Sequence, residues 1–430
     1  MKHELNFKFL RSVSIFTAAN FINAAIPFLL LPVLTKYLTP ADFGIVSMFQ
    51  VLTNIVLPFS GLNADGAVSR YYFERDKIDF SKFVSGAVLI LLASTLAVCI
   101  VFFFASGTIK EYSFGEEAVK IGTGWLFVVI LLAMGQNLMQ IQLNIWQVQH
   151  KALQFGLLRI AKTIVEIGFS VFLIIQFKKS WEGRMNAQLI AVSLFALLSL
   201  YFLLKEKFLK PGISKAYIKT MLQYGAPLVP HILSGVIITY SDRIFITNMV
   251  SLSDTGLYSV GYQIGMVISL LQTSFNQAWV PWFFEKLKID AAATKLKIVK
   301  FTYIYYVLMI VLALLLTFSA PLIFKIFIGK EYSSGIVYVF WIALGFAFNG
   351  MYKMVVNYIF YLNKTYIIAA MTVVTASLNI CLNYFLIKRN GAVGAAQATA
   401  ISFLFEFILV WIVSAKLYKM PWLFFLKKNN

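Results

Sequence analysis

The chain has 430 residues, 60% of them hydrophobic and 13% charged, with a mean hydropathy of +0.80. A soluble domain is about half apolar and about a quarter charged, and one aqueous core cannot hide this much apolar surface, so lipid is the solvent that fits. The net charge of +19 would point to nucleic acid in a soluble protein, but here Lys and Arg fall in short segments between apolar runs, as loop charges of membrane proteins do.

Lys2, Lys8 and Arg11 precede an apolar run over 13–34. The run is long enough to span and has no clear small-x-small cleavage site, so it reads as a retained first helix rather than a signal peptide. Further spans are predicted at 44–63, 83–105, 125–145, 157–177 and 187–204, then at 221–247, 257–279, 301–323, 337–360, 365–387 and 392–417. Each is near the length of about 20 apolar residues that a crossing needs. The expected fold is all-α, a polytopic membrane protein of about 12 transmembrane helices in two six-helix bundles. Intervening loops stay below about 20 residues, too short for an extramembrane domain.

Basic residues set the expected orientation. With the N-terminus inside, cytoplasmic segments hold about 25 Lys and Arg against about 10 outside, a clear positive-inside bias that places both termini in the cytoplasm. Arg70, Arg75, Lys77 and Lys82 form one inner cluster, and Lys286, Lys288, Lys295, Lys297 and Lys300 another.

The chain repeats a short pattern. Asp42, Gly44, Ile45 and Ser47 read D-x-G-[IL]-x-S after the first span; Asp254, Gly256, Leu257 and Ser259 read the same after the seventh. The matching positions imply two homologous bundles, residues 1–204 and 220–430, joined by a basic cytoplasmic linker at 205–219 that contains Pro211 and Gly212. Transporters are commonly built from such repeats, with the substrate path at their interface.

Polar groups inside spans are costly, so they are the first candidates for function. Asp242 and Arg243 lie late in the seventh span. As neighbours they should point about 100° apart and meet different partners. Arg243 is expected either to face a cavity and attract an anion or to reach the outer headgroups. Asn349, Lys353 and Asn357 recur every four residues and mark one helical face, a candidate cationic cavity wall or a site of interhelical hydrogen bonds. Gln136, Gln140, Asn144 and Gln147 form a similar stripe of amides suited to hydroxyl-rich ligands. Glu166 shares a face with Arg159, Lys162, Thr163 and Ser170, and Lys162, four residues away, can neutralise it. Thr372, Thr375, Asn379 and Asn383 line a face of the eleventh span, and Thr399, Ser402 and Glu406 one of the twelfth. Pro27 and Pro32 interrupt the first span, and Pro227 and Pro230 the seventh, at corresponding positions; they are hinge candidates.

The chain has no GxxxxGK[ST] phosphate loop and no HExxH. His3, His150 and His231 are dispersed, as are Cys99 and Cys381, so no metal site, cofactor or catalytic set is expected. These absences favour a transporter over an enzyme.

The stretch 16–50, with LLLPVLTKYLTPADFGIVSMFQ, resembles the N-terminal signature of polysaccharide biosynthesis flippases. So do YGAPLVPHILSGVIITYSDRIFI over 224–246 and DTGLYSVGYQIG from Asp254. These are the O-antigen (Wzx-type) lipid-linked oligosaccharide exporters of the multidrug/oligosaccharidyl-lipid/polysaccharide superfamily. The resemblance implies a MATE-like pair of bundles around a cationic cavity in the inner (cytoplasmic) membrane. It implies transfer of undecaprenyl-pyrophosphate-linked oligosaccharide, driven by an ion or substrate gradient rather than ATP. It makes Arg243, in the Ser241–Asp242–Arg243 motif, a candidate pyrophosphate contact, and it implies a polysaccharide polymerase and a chain-length regulator as partners. Lys353 rests on its stripe alone. Lipid II flippases of the superfamily carry two further spans, for which this chain has no room. The alternatives are a multidrug or cation exporter of the same fold, against which the cationic candidates weigh, and a membrane polymerase or ligase acting on lipid-linked sugars. The latter would need a larger outer loop than the one at 105–123.

Overall fold

The computed structural model describes residues 28–423, except 213 and 290, together with residue 22. Among the described residues the regular structure is helical, with no strand. In chain order the helices are α1 (Phe28–Tyr37), α2 (Pro40–Val56), α3 (Ala64–Tyr71), α4 (Phe80–Phe114), α5 (Gly124–Val148), α6 (Ala152–Gln176), α7 (Trp181–Lys205) and α8 (Lys215–Gly225). Then come α9 (Val229–Met249), α10 (Leu252–Gly265), α11 (Val267–Leu287), α12 (Ala292–Phe327), α13 (Ile336–Tyr361), α14 (Thr365–Asn390) and α15 (Ala392–Leu417).

Eight helical stretches among the described residues are long and apolar enough to cross a membrane. The other expected spans depart from that standard for visible reasons. The first lies largely outside the described residues. The second ends at Val56 and turns before α3. Any 18-residue window of α6 contains Arg159, Lys162 and Glu166. The expected span at 257–279 is divided at Met266 between α10 and α11. Large apolar side chains such as Leu96, Phe103 and Phe104 on α4 and Ile304, Phe318 and Leu322 on α12 are exposed, as lipid-facing positions require.

Packing divides the chain into two compact units. Unit 1 contains the chain up to Val236 plus Ser251–Gly256; unit 2 contains Ile237–Val250 and the chain from Leu257. The division falls inside α9, not at the expected linker 205–219. Lys215–Gly225 is itself a helix, and Met221 is fully buried against Phe83, Val84 and Ala87 of α4. Gly86 gives Met221 its room: a Cβ there would lie 2.7 Å from the Met221 methyl.

In unit 1, α5 and α7 approach closely where Gly135 faces Val192 and Ala196. In unit 2, α13 packs on α15 where Gly345 meets Ala400, beside the buried Ala395, Ala396 and Ala398. Small residues at such contacts let helix backbones come together, which replaces the hydrophobic drive that lipid cannot supply.

The repeated pattern is a helix start. At α2, Thr39 Oγ1 accepts the Asp42 N–H at 3.2 Å and Asp42 Oδ2 accepts the Thr39 N–H at 3.2 Å, a capping box. Pro40 occupies the first turn, where its missing donor costs nothing. At α10, Ser251 Oγ accepts the Asp254 N–H at 2.9 Å and donates to Asp254 Oδ2 at 2.5 Å. The two glycines meet reciprocally inside unit 1. Gly44 lies against the Leu252 carbonyl, and Gly256 against the Pro40 carbonyl, where a Cβ would stand 2.8 Å from the carbonyl carbon and 2.9 Å from the Gly44 nitrogen. Glycine is required because backbone touches backbone.

Candidate functional site

Unit 2 buries an ion pair between α9 and α10. Arg243 is 6% exposed and Asp242 1%. Each meets its own neighbours, but against the expectation from one-helix geometry the two also pair with each other. Asp242 Oδ1 turns back to accept the Arg243 N–H at 2.9 Å. The long Arg243 side chain folds over its own preceding turn, donating from Nη1 to the Thr239 carbonyl at 2.6 Å and to Asp242 Oδ1 at 2.7 Å. Tyr258 of α10 donates its hydroxyl to the other Asp242 oxygen. The guanidinium lies 3.9 Å from the Tyr262 ring centre, 5.2 Å from Tyr258 and 5.5 Å from Tyr240. Arg243 therefore does not reach out to headgroups. Its charge is balanced inside the unit by a carboxylate and an aromatic cage.

Lys353 stands differently. It is half-buried, and its ammonium donates to Thr273 Oγ1 on α11 at 3.1 Å at an exposed position. Among the described residues no carboxylate pairs with it. One turn earlier, Asn349 Oδ1 accepts from Gln272 Nε2 at 3.1 Å. One turn later the stripe ends, because Asn357 is buried and donates to the Lys353 carbonyl of its own helix at 2.7 Å. The structure thus brings Asn349 and Lys353 together with α11 and leaves Asn357 in the packing. Sequence reasoning missed the α11 partners Gln272 and Thr273 and the polar Asn276 and Gln277 one turn on. Their spacing was the available signal: four polar residues at i, i+1, i+4 and i+5 within an expected span.

The α14 and α15 faces meet in a buried polar network. Ser241 Oγ donates to Asn379 Oδ1 at 3.1 Å, Asn379 Nδ2 to Ser402 Oγ at 3.2 Å, and Asn383 Nδ2 to Asn379 Oδ1 at 3.1 Å. Thr375 and Thr399 are buried beside it. Thr372 spends its hydroxyl on the Ile368 carbonyl. Glu406 is 6% exposed at mid-helix on α15 and has no ion pair among the described residues.

In unit 1 the amide stripe of α5 is a brace. Gln140 Nε2 donates to Asn144 Oδ1 at 2.7 Å, and Asn144 Nδ2 donates to both the Asp65 carbonyl and its carboxylate at 3.1 Å. Gln136 is half-buried and Gln147 exposed. Asn137, not marked from sequence, donates to the Leu57 carbonyl at 2.9 Å and also to the Ser60 carbonyl. It satisfies the backbone freed where α2 gives way to the turn before α3. Gly61, Leu62 and Asn63 there all carry positive φ, and Gly61 N–H is held by Ser94 Oγ at 2.8 Å.

Glu166 is clamped between α6 and α7. Lys162 pairs with one oxygen, as the four-residue spacing suggested. Arg184 of α7 pairs with the other at 2.6 Å and also donates to Ser170 Oγ at 3.0 Å. Arg184 was not foreseen, since nothing in the α6 pattern names a partner on α7.

Of the hinge candidates, Pro27 lies outside the described residues. Pro32 is within α1. Pro227 sits in a 3-10 turn, Ala226–Leu228, and Pro230 in the first turn of α9, so both occupy the junction of α8 and α9. Among the described residues no group of three or more His, Cys, Asp or Glu is placed to hold a metal ion.

Helices long and apolar enough to cross a membrane, with buried charge pairs and polar networks between them, define a polytopic helical membrane protein, and its fold is shared with solved structures. The chain matches the lipid II flippase MurJ in an inward closed conformation with a TM-score of 0.75 at 16% identity, over 93% of this chain and 87% of that one. It matches an inward-facing multidrug resistance MATE family transporter of the MOP superfamily with a TM-score of 0.73 at 14% identity, over 93% of this chain and 94% of that one. By its sequence the chain belongs to the family described as polysaccharide biosynthesis protein, matched over residues 9–287. It is 28% identical to an uncharacterized membrane protein of Haemophilus influenzae over 83% of this chain and 85% of the relative. It is 22% identical to "Probable low-salt glycan biosynthesis flippase Agl15" of Haloferax volcanii, over 93% of this chain and 81% of the relative.

Proposed function

We propose that the protein is a flippase that moves an undecaprenyl-pyrophosphate-linked oligosaccharide across the cytoplasmic membrane by alternating access, for O-antigen or capsule assembly. A polysaccharide polymerase and a chain-length regulator would use its product. Membership of a polysaccharide biosynthesis family, the name of the Haloferax relative and the fold shared with MurJ and MATE transporters all support this reading. The observation that carries it is Lys353. Its ammonium, with no counter-carboxylate among the described residues, is held at an exposed hydroxyl on a polar helix face, where a phosphate or another anionic group can be met by a charge-assisted hydrogen bond. Arg243, already paired with Asp242, is the weaker candidate for that contact. Its role in this reading is to hold α9 to α10.

The test is deletion and complementation in the native host, reading surface polymer and the sidedness of lipid-linked repeat units. The expected result is loss of surface polymer with intact repeat units trapped on the cytoplasmic side. Lys353→Ala should fail to restore export while inserting normally, and Lys353→Arg should restore part of it. Repeat units that reach the outer face unpolymerised would overturn the flippase reading in favour of a membrane enzyme.

A further inference from the structure

The α11 helix carries its polar residues in one sector. At 100° per residue, Gln272, Asn276, Thr273 and Gln277 fall within an arc of about 140°. The aromatic residues Phe275, Trp279 and Trp282 occupy the adjoining arc and anchor the helix to α12. Phe275 stacks on Tyr305 at 4.4 Å, and Trp279 on Phe301 at 5.3 Å with planes 10° apart. One side of α11 is therefore fixed by rigid rings, which presents the polar sector at a defined angle.

Two features of that sector go beyond packing. Thr273 and Gln277 are exposed, and polar side chains exposed beside apolar spanning helices are expected to face water or a polar ligand rather than lipid. Gln272 is fully buried, yet its Oε1 has no hydrogen-bond partner, and neither has Asn276 Oδ1. The Nε2 of Gln272 is spent on Asn349 and its buried Oε1 lies beside Gly350 of α13, so two buried acceptors without partners underlie the sector while Thr273 and Gln277 are its exposed groups and Lys353 donates at its rim.

We infer that this face of unit 2, formed by Gln272, Thr273, Asn276 and Gln277 of α11 with Asn349 and Lys353 of α13, is a glycan subsite. Its amides and hydroxyl bond sugar hydroxyls in both directions, and Lys353 takes an anionic group, either a sugar carboxylate or the linking phosphate. The inference rests on the flippase reading for its substrate class. It adds that sugar identity is read on this face.

The experiment starts from the full chain with Cys99→Ser and Cys381→Ser and a reporter Ser274→Cys, an exposed neighbour of the sector. A charged, water-soluble maleimide is the reagent. The probe is the host's own repeat-unit oligosaccharide, released from its lipid with or without its terminal phosphate. Labelling should proceed, and the oligosaccharide should slow it severalfold. Adding Thr273→Val with Gln277→Leu should abolish the protection. Protection that survives loss of the terminal phosphate assigns Lys353 to the sugar; protection given only by the phosphorylated oligosaccharide assigns it to the phosphate. Absent labelling, absent protection, or protection unchanged by the double variant overturns the inference. If protection holds while the deletion strain keeps its surface polymer, the flippase reading fails and the glycan subsite stands.

Discussion

Asp242→Ala isolates the buried pair in unit 2. The substitution removes the acceptor of the Arg243 N–H at 2.9 Å, of Arg243 Nη1 at 2.7 Å and of the Tyr258 hydroxyl. What remains to the guanidinium is the Thr239 carbonyl and the tyrosine rings, chiefly Tyr262 at 3.9 Å. Rings partly stabilise a desolvated cation by about 2 kcal/mol, but breaking a buried ion pair by removing one partner costs about 3–5 kcal/mol. For a unit of this size, at about 2–4 °C per kcal/mol, the apparent melting temperature in detergent should fall by about 6–20 °C. Asp242→Ala combined with Arg243→Met removes the stranded charge along with its partner, and should recover most of that loss. The assay is intrinsic Trp fluorescence or aggregation on heating, with expression and insertion checked in parallel. A single variant as stable as the parent, or a double variant that melts as low as the single, would refute the argument that charge balance, rather than packing volume, sets the cost.

Gly256→Ala forces a methyl onto the Pro40 carbonyl. It should cost at least about 1–3 kcal/mol, more than the same change at Gly168, which has open space around it, when the two are compared by thermal melting. Arg184→Gln leaves Glu166 with Lys162 alone. It should lower stability by about 1.5–3 kcal/mol, the range for a hydrogen bond to a charged group, and Glu166→Gln in the same background should add little. Outside the spans, the N-cap Asp79 has its carboxyl held below the usual carboxylate range, first by the Lys82 backbone N–H and then by Lys210. Its stabilisation of α4 is present above the unfolded value and lost as pH falls through the lowered folded one. Asp79→Asn should therefore flatten the acid limb of the melting curve by lowering the neutral-pH melting temperature towards the acid value, with little effect once pH is well below about 4.

Sequence alone determined the solvent, the helical class and most helix positions, because apolar runs near the span length admit few other readings. It also located the D-x-G repeat, since a capping box is a local device legible in four residues. It found Lys162 as the partner of Glu166 because both lie on one helix, four apart. Tertiary structure alone decided the rest. Arg184, Tyr258 and Thr273 are partners supplied by other helices, and one-helix periodicity names a face without naming what covers it. The same limit explains Arg243, whose long side chain folded back to the one residue that helix geometry had assigned elsewhere. Likewise, Asn349 and Asn357 share a stripe, yet one meets α11 and the other its own backbone. Spacing repeats along a helix, whereas the neighbours it meets change with every turn.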